Sequence, residues 1–278
     1  MPAETRTLLR RFVLMGVFLI LATAAVVVLI CYTAGRNDGG APGQIATQAT
    51  VPEPTLPRSQ FESSDFGYGG DYLTCLAAEC LVGIDVSVHQ QQIDWEQVKA
   101  AGIDFVMVRL GYRGYETGLL NEDKFARANL DGARQAGLLV GAYFFSQATG
   151  AEEAKEEARF SLEILGDFSL DLPLVFDWEM AQRTENVDKQ TVTECALAFC
   201  AVVEGAGLEP MIYFNSYQTR TQIDLHQLAD YAWWLALYNT EGTFPCRFDM
   251  WQYSSEGTVP GIEGNVDLNV MITEKPPA

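Results

Sequence analysis

Three textures of hydrophobic and polar positions follow one another along the chain. Residues 12–30 are nineteen consecutive uncharged, mostly apolar positions. A helix over 12–32 would be about 31 Å long, close to the roughly 30 Å hydrocarbon thickness of a bilayer. Across 37–64, Gly, Pro, Ser, Thr and Gln recur without period, which reads as a spacer too polar to bury a core. From Leu81 the pattern turns globular and repeats. A helical pattern at 95–101 stops at Gly102 and leads to an apolar strand at 103–109. A longer one at 121–136 stops at Gly137 before a strand at 138–145, and a third at 188–206 stops at Gly207 before 210–214. Glycine stands in each case where a chain leaves a helix through a left-handed turn. A fourth helix, 151–165, leads by a longer loop to an apolar strand opened by Pro173. Strands at 232–238, 248–253 and 266–268 follow with little room for helices between them. With 81–86 there are eight.

Strands alternating with helices predict parallel βα units. Eight of them predict an irregular eight-stranded β/α (TIM-like) barrel with fewer helices in its C-terminal half, preceded by a single transmembrane helix. A doubly wound sheet lacks a motive for eight strands, and no GxGxxG is present. The expected organisation is a cytoplasmic N-terminus at 1–11, a transmembrane signal anchor at 12–32, a flexible linker at 33–66, a transition segment at 67–80 and the barrel at 81–278.

Charge orients this arrangement. Arg6, Arg10 and Arg11 precede the apolar run and Arg36 alone follows closely, which keeps the N-terminus in the cytoplasm and the remainder outside. A cleaved signal peptide is the competing reading, but its apolar core usually spans only about 7–15 residues. Both place the barrel outside the cytoplasm. A lipid anchor on Cys31 is disfavoured by the bulky Ile30 before it. The net charge of −19 leaves no basic stripe for nucleic acid. Six cysteines without zinc-type pairs and only two histidines predict no metal site and no cofactor. Cys75 and Cys80 are spaced to close a small loop.

Catalytic side chains of such a barrel sit at the C-terminal ends of its strands. The fourth strand reads Pro173-Leu174-Val175-Phe176-Asp177-Trp178-Glu179. Alternate side chains share a face, so Asp177 and Glu179 point one way and Phe176 and Trp178 the other. Two carboxylates so placed suit acid-catalysed glycoside cleavage, one protonated to donate and the other ionised to stabilise positive charge. The other strand ends bring Asp85, Tyr143, Tyr213 with Asn215, Tyr238, Gln252 and Asp267 to the same face. Aromatic rings stack on pyranose faces, and carboxylates bind hydroxyls. Trp251 counts among these platforms. Trp233 and Trp234 are adjacent and face opposite ways, so at most one lines the mouth, while Trp95 and Trp178 read as structural. His89 reads as a surface loop residue, and Glu152-Glu153-Lys155-Glu156-Glu157 as a solvated helix face. No serine or cysteine has a histidine partner for a triad.

Five motifs in order carry a family resemblance. Gly83-Ile84-Asp85-Val86-Ser87 with Ile93-Asp94-Trp95, then Ala142-Tyr143-Phe144-Phe145, Asp177-Trp178-Glu179, Met250-Trp251-Gln252-Tyr253-Ser254 and Asn265-Val266-Asp267-Leu268-Asn269 resemble the signatures of family 25 glycoside hydrolases, the N-acetylmuramidase lysozymes. The resemblance covers roughly residues 81–273 and implies an irregular barrel short of helices in its second half. It implies cleavage of the β-1,4 bond between N-acetylmuramic acid and N-acetylglucosamine, with Glu179 as general acid. Asp177 would support attack by the substrate's own acetamido group, and Asp85 and Asp267 would complete the catalytic acids. Tyr143, Tyr213, Asn215, Tyr238, Trp251 and Gln252 are the expected substrate-binding residues. Peptidoglycan glycan strands are the expected partner of a membrane-tethered monomer, remodelling the wall or lysing competitors. Gln91 departs from the pattern, standing where the family commonly has glycine. A catalytically silent glycan-binding module, or a hydrolase of another N-acetylated glycan, is the alternative.

Overall fold

A computed structural model describes residues 56–238 and 244–273 of the chain. The expected N-terminus 1–11, the expected span 12–32 and most of the expected linker 33–66 lie outside the described residues. Among the described residues no helix is long and apolar enough to cross a membrane.

A hairpin of β1 (Phe66–Gly69) and β2 (Tyr72–Cys75) comes first. Then follow β3 (Cys80–Val86), α1 (Trp95–Ala100), β4 (Phe105–Arg113), β5 (Leu120–Glu122), α2 (Ala126–Gln135), β6 (Leu139–Ser146), α3 (Ala151–Leu165), β7 (Leu174–Trp178), α4 (Lys189–Gly205) and β8 (Pro210–Asn215). The one-turn α5 (Gln218–Thr221), β9 (Ala232–Ala236), β10 (Met250–Gly257) and β11 (Val266–Ile272) complete the order. Strands β3, β4, β6, β7, β8, β9, β10 and β11 form a closed barrel, with β5 added at its margin. All eight expected strands are present. Gly137 (φ 77°) and Gly207 (φ 79°) end α2 and α4 in the left-handed turn the sequence predicts.

Two expectations change. The helix expected at 121–136 begins only at Ala126, because Leu120–Glu122 pairs antiparallel with β4 as β5. The last barrel strand is also reversed: β11 runs antiparallel to both β10 and β3. Its first residues therefore lie at the end where the parallel strands finish, which brings Asp267 opposite Asp85.

Strand alternation divides the apolar residues between two cores. Inside the barrel, Phe105, Met107, Val175, Met211, Trp234 and Met250 pack in layers beneath Tyr143 and Tyr213. A Cβ on Gly83 would lie 2.3 Å from the Phe105 ring, so the glycine makes room for that ring. Outside, Ile84, Val106, Val108, Phe144, Phe176 and Phe214 meet the helices. Where helices run out, residues of the expected linker and transition segment supply the cover. Phe61 and Phe66 are buried; Phe66 packs edge-on against Trp251 (4.9 Å) and Phe244 (5.6 Å), and Phe61 packs on Phe248 (6.0 Å). The backbone N–H of Arg247 donates to Pro57 O at 2.8 Å. The barrel domain thus incorporates chain well before residue 81. Cys75 and Cys80 carry free thiols, with the Cys75 N–H on Cys80 Sγ at 3.0 Å.

The acidic face expected on α3 is solvated only in part. Lys155 pairs with Glu152 at the surface (2.6 Å), but Glu157 is buried and takes the Arg113 guanidinium of β4 at 2.7 Å. Ser146 also donates to Glu157. Burial pushes the Glu157 carboxyl up to about 7 against those donors.

Candidate active site

The inward-facing residues at the strand ends surround a cavity of about 260 Å3. Alternation selects them: Asp85 on β3, Arg109 on β4, Tyr143 and Phe145 on β6, Asp177 on β7, Tyr213 on β8, Trp234 on β9, Gln252 on β10 and Asp267 on β11. Glu179, just beyond β7, lines the cavity too. It also lines a second groove with Tyr213, Asn215, Tyr217 and Tyr238. The acid therefore stands between two compartments of one cleft.

The turn carrying Glu179 is held by its backbone, leaving its carboxyl to the cleft. Gln147 Nε2 donates to Glu179 O (2.6 Å), and Thr184 Oγ1 donates to the same oxygen (3.3 Å). The Gln218 amide donates to Trp178 O, and the Trp178 indole donates to Ala148 O (2.9 Å). Arg183 donates to Gln147 O and pairs with Glu153, whose carboxyl is held down at about 2 despite partial burial by Arg183 and Thr149. Trp178 is thus a structural anchor between two acids that face the other way.

The acids on the opposite wall sit in a saturated network. Asp85 Oδ2 accepts from Gln252 Nε2 (2.7 Å) and Asn269 Nδ2 (2.8 Å). Gln252 Oε1 in turn accepts from the hydroxyls of Tyr238 (2.7 Å) and Tyr213 (3.1 Å), and Asn269 Oδ1 accepts from the Trp234 indole (2.9 Å). These donors fix the amide orientation: each carbonyl end is occupied, so each NH2 must point at Asp85. Asp85 and Asp267 also share a hydrogen bond.

Asp177 differs. Its Oδ1 is buried with no hydrogen-bond partner, although the residue is only 6 % exposed. A buried carboxylate oxygen without a donor is costly, so such an atom in a cleft marks where a ligand N–H or O–H belongs. Burial, then the charges of Glu179 and Asp85, push the Asp177 carboxyl well up, partly offset by Arg109. Glu179 is raised by burial first and Asp267 second. Asp85 is raised well above the usual range by burial and by Asp267. Asp267 is raised by burial, against the Asp85 hydrogen bond and His89. Their shared hydrogen bond raises Asp85 and lowers Asp267, so Asp85 is the more readily protonated of the two. Arg109 is itself tied to Asp123, its Nε donating at 2.8 Å, which fixes the cation beside the cavity.

The structure brings together Asp85, Asp177, Glu179, Asp267, Tyr143, Tyr213, Tyr238 and Gln252. Asn215 lies in the adjoining groove, its Oδ1 accepting the N–H groups of Tyr217 and Gln218 at 3.0 Å. Trp251 does not reach the cleft. It is 2 % exposed, its indole donates to Leu237 O, and it packs on the outer side with Phe66, Phe244 and Tyr253. Neighbours on a strand face opposite ways, so once Gln252 points inward Trp251 cannot. The same rule resolves the tryptophan pair: Trp234 lines the cavity and Trp233 is in the outer core. Arg109, Asn269, Trp234, Phe145 and Ser255 are further residues of the site or its support that the strand-end list omits. Arg109 ends the strand expected at 103–109, so the strand-end rule itself points to it. His89, on the loop after β3, borders the cavity.

Comparison with known proteins agrees with this geometry. The model of the family "Glycosyl hydrolases family 25" matches residues 84–262, which leaves Asp267 just past the matched region. The uncharacterized protein YegX of Escherichia coli O157:H7 is 31 % identical over 200 residues, 70 % of each chain. Lysozyme M1 of Streptomyces globisporus is 28 % identical over 67 % of this chain and 66 % of its own. The solved structure of the modular autolysin LytC from Streptococcus pneumoniae superposes with a TM-score of 0.60 at 26 % identity, covering 69 % of this chain; this chain spans 46 % of LytC. The barrel, its cluster of four acids and the family match together place this chain in family 25 of the glycosyl hydrolases.

Proposed function

We propose that the protein is a muramidase, hydrolysing the β-1,4 bond between N-acetylmuramic acid and N-acetylglucosamine in peptidoglycan, with Glu179 as general acid and Asp177 assisting the substrate's acetamido group. The observation that carries this reading is the unpartnered, buried Asp177 Oδ1 beside Glu179 in a sugar-sized, aromatic-lined cleft. An acetamido N–H supplies the donor that this oxygen lacks. That hydrogen bond favours ionised Asp177 and turns the acetamido carbonyl oxygen toward the anomeric carbon.

Glu179, its carboxyl raised by burial and then by the charge of Asp267, delivers a proton to the glycosidic oxygen. The bond's two sugars then lie on either side of it, the attacked sugar in the acid-lined cavity and the leaving sugar in the groove of Tyr213, Tyr217 and Tyr238. Attack by the acetamido oxygen forms a cyclic intermediate. Water, deprotonated by the now ionised Glu179, opens it with net retention, one of the recognised departures from a protein nucleophile. Asp85 and its amide partners hold the attacked sugar. We also propose, from the apolar run 12–32 and the arginines before it, that the domain works outside the membrane on an N-terminal tether.

The test is digestion of purified peptidoglycan, borohydride reduction and mass spectrometry of the fragments. Muramitol ends made by the native protein and lost in Glu179→Gln are expected. Glucosaminitol ends would move the cleaved bond, and bound but uncut glycan would leave a binding module in place of an enzyme.

A further inference from the structure

We propose that the N-terminal hairpin builds a second binding groove for the glycan strand, outside the barrel and continuous with the catalytic cleft. The groove, about 550 Å3, lies between the hairpin and strands β10 and β11, lined by Tyr68, Asp71 and Tyr72 on one side and Tyr253, Ser254 and Glu256 on the other. The hairpin precedes the residues that the family model matches, so this wall of the groove lies outside the matched region.

Its construction follows from strand alternation. Phe66 and Tyr68 share one face of β1. Phe66 is spent on the aromatic wall of Trp251 and Phe244, while Tyr68, one step further out, overhangs the barrel and is 73 % exposed. A single exposed tyrosine means little on its own. Here three phenols border one groove: Tyr68 is exposed, Tyr72 and Tyr253 are buried at its base, and Tyr253 is fixed by the N–H of Leu73 on its oxygen at 3.2 Å.

Continuity with the cleft comes from a bulge. The pairing of β10 with β11 shifts between Gln252 and Ser254, and again between Ser254 and Gly257. The shift changes which residues face inward, so Ser255 borders the catalytic cavity while its neighbours Ser254 and Glu256 border the hairpin groove. Ser255, between Ser254 and Glu256, is thus the rim over which a glycan strand would pass from the cavity to the groove.

The lining selects the ligand. It holds aromatic rings, hydroxyls and carboxylates and no cation. The exposed Tyr68 ring accepts the apolar face of a pyranose, and Asp71 and Glu256 accept hydrogen bonds from sugar hydroxyls and acetamide N–H groups. The occupant that fits is a further stretch of the N-acetylated glycan in the cleft, and this part of the inference rests on the muramidase reading.

The experiment uses the full chain in detergent and glycan strands of peptidoglycan, with their stem peptides intact and bare after enzymatic removal of those peptides. Binding is measured in the uncut state with Glu179→Gln, alone and combined with Tyr68→Ala. Turnover of a soluble tetrasaccharide is measured with and without Tyr68→Ala in the otherwise native protein. The expected result is about tenfold weaker binding of long strands, the loss of one well-placed aromatic contact, with tetrasaccharide turnover unchanged. Tyr68 is largely exposed, so the fold survives, and an unchanged melting temperature verifies this. Undiminished binding of bare strands overturns the groove while leaving the muramidase intact. A loss seen only when stem peptides are present reassigns the groove to peptide and overturns it as a glycan site. Failure of the native protein to cut any glycan overturns the muramidase reading itself.

Discussion

The two walls of the cleft carry two carboxyl pairs in opposite states. On one wall Asp85 is saturated, with two amide donors on Oδ2 and a hydrogen bond shared with Asp267; each amide is held in turn by a phenol or an indole. On the other wall Asp177 keeps a buried oxygen without a donor, and the backbone of Glu179 is fixed while its carboxyl faces the cleft. The difference separates holding from reacting. A saturated network is rigid and positions a sugar. An unsaturated one stores a desolvation cost of ~1–3 kcal/mol that a substrate N–H relieves, so binding and activation become one event.

The comparison breaks most visibly at Glu179. Replacing it by Gln keeps the shape and removes the proton, and kcat on peptidoglycan is expected to fall ~10³–10⁴-fold with KM little changed. Turbidity loss of a cell-wall suspension reads this directly. Asp177→Asn comes next, expected to cost ~10²–10³-fold in kcat, because the amide can no longer accept the acetamido proton as an anion. On the saturated wall the penalty moves from rate to stability. Gln252→Leu strips Asp85 of one donor and leaves the Tyr213 and Tyr238 hydroxyls without their acceptor, which costs about 1–3 kcal/mol and appears as a lower melting temperature. Tyr238→Phe is the mildest change. It removes one of two phenols on Gln252 Oε1 and is expected to alter kcat/KM by about fivefold, roughly 1 kcal/mol.

Acidity offers a reading that spans both walls. Asp85, Asp177, Glu179 and Asp267 are all raised in the folded protein, chiefly by burial, so the native state binds protons more tightly than the unfolded chain. Their contribution to stability is complete below the unfolded carboxyl value of about 4 and is lost as pH rises through the folded values. The melting temperature of the empty enzyme should fall as pH rises above about 4. Asp177→Asn should flatten that slope.

Most of the barrel was legible because period-2 alternation and helix-ending glycines are local. The eight strands, the helix-poor second half and the shared face of Asp177 and Glu179 followed from spacing alone. What escaped depended on long-range pairing. The antiparallel entry of β11, which puts Asp267 opposite Asp85, has no local mark. Neither does β5, whose three residues sit in a stretch with helical spacing. Trp251 was assigned to the cleft by residue type, whereas its inward neighbour Gln252 already dictated the opposite. Residues 57–75 read as spacer and transition because their few aromatics have no period. Among the described residues no outer helix follows β9 or β10, which leaves the surface that Phe61 and Phe66 cover.

Division of labour between the two β7 acids is tested most directly by changing the leaving group. A dinitrophenyl β-glycoside of an N-acetylated disaccharide departs without a proton, so it needs acetamido attack but no general acid. Glu179→Ala should keep kcat/KM for dinitrophenol release, which reports only the acetamido attack, within about tenfold of native while remaining ~10³-fold impaired on peptidoglycan, and Asp177→Asn should be impaired on both. Equal loss by the two variants on both substrates would contradict separate roles for Glu179 and Asp177.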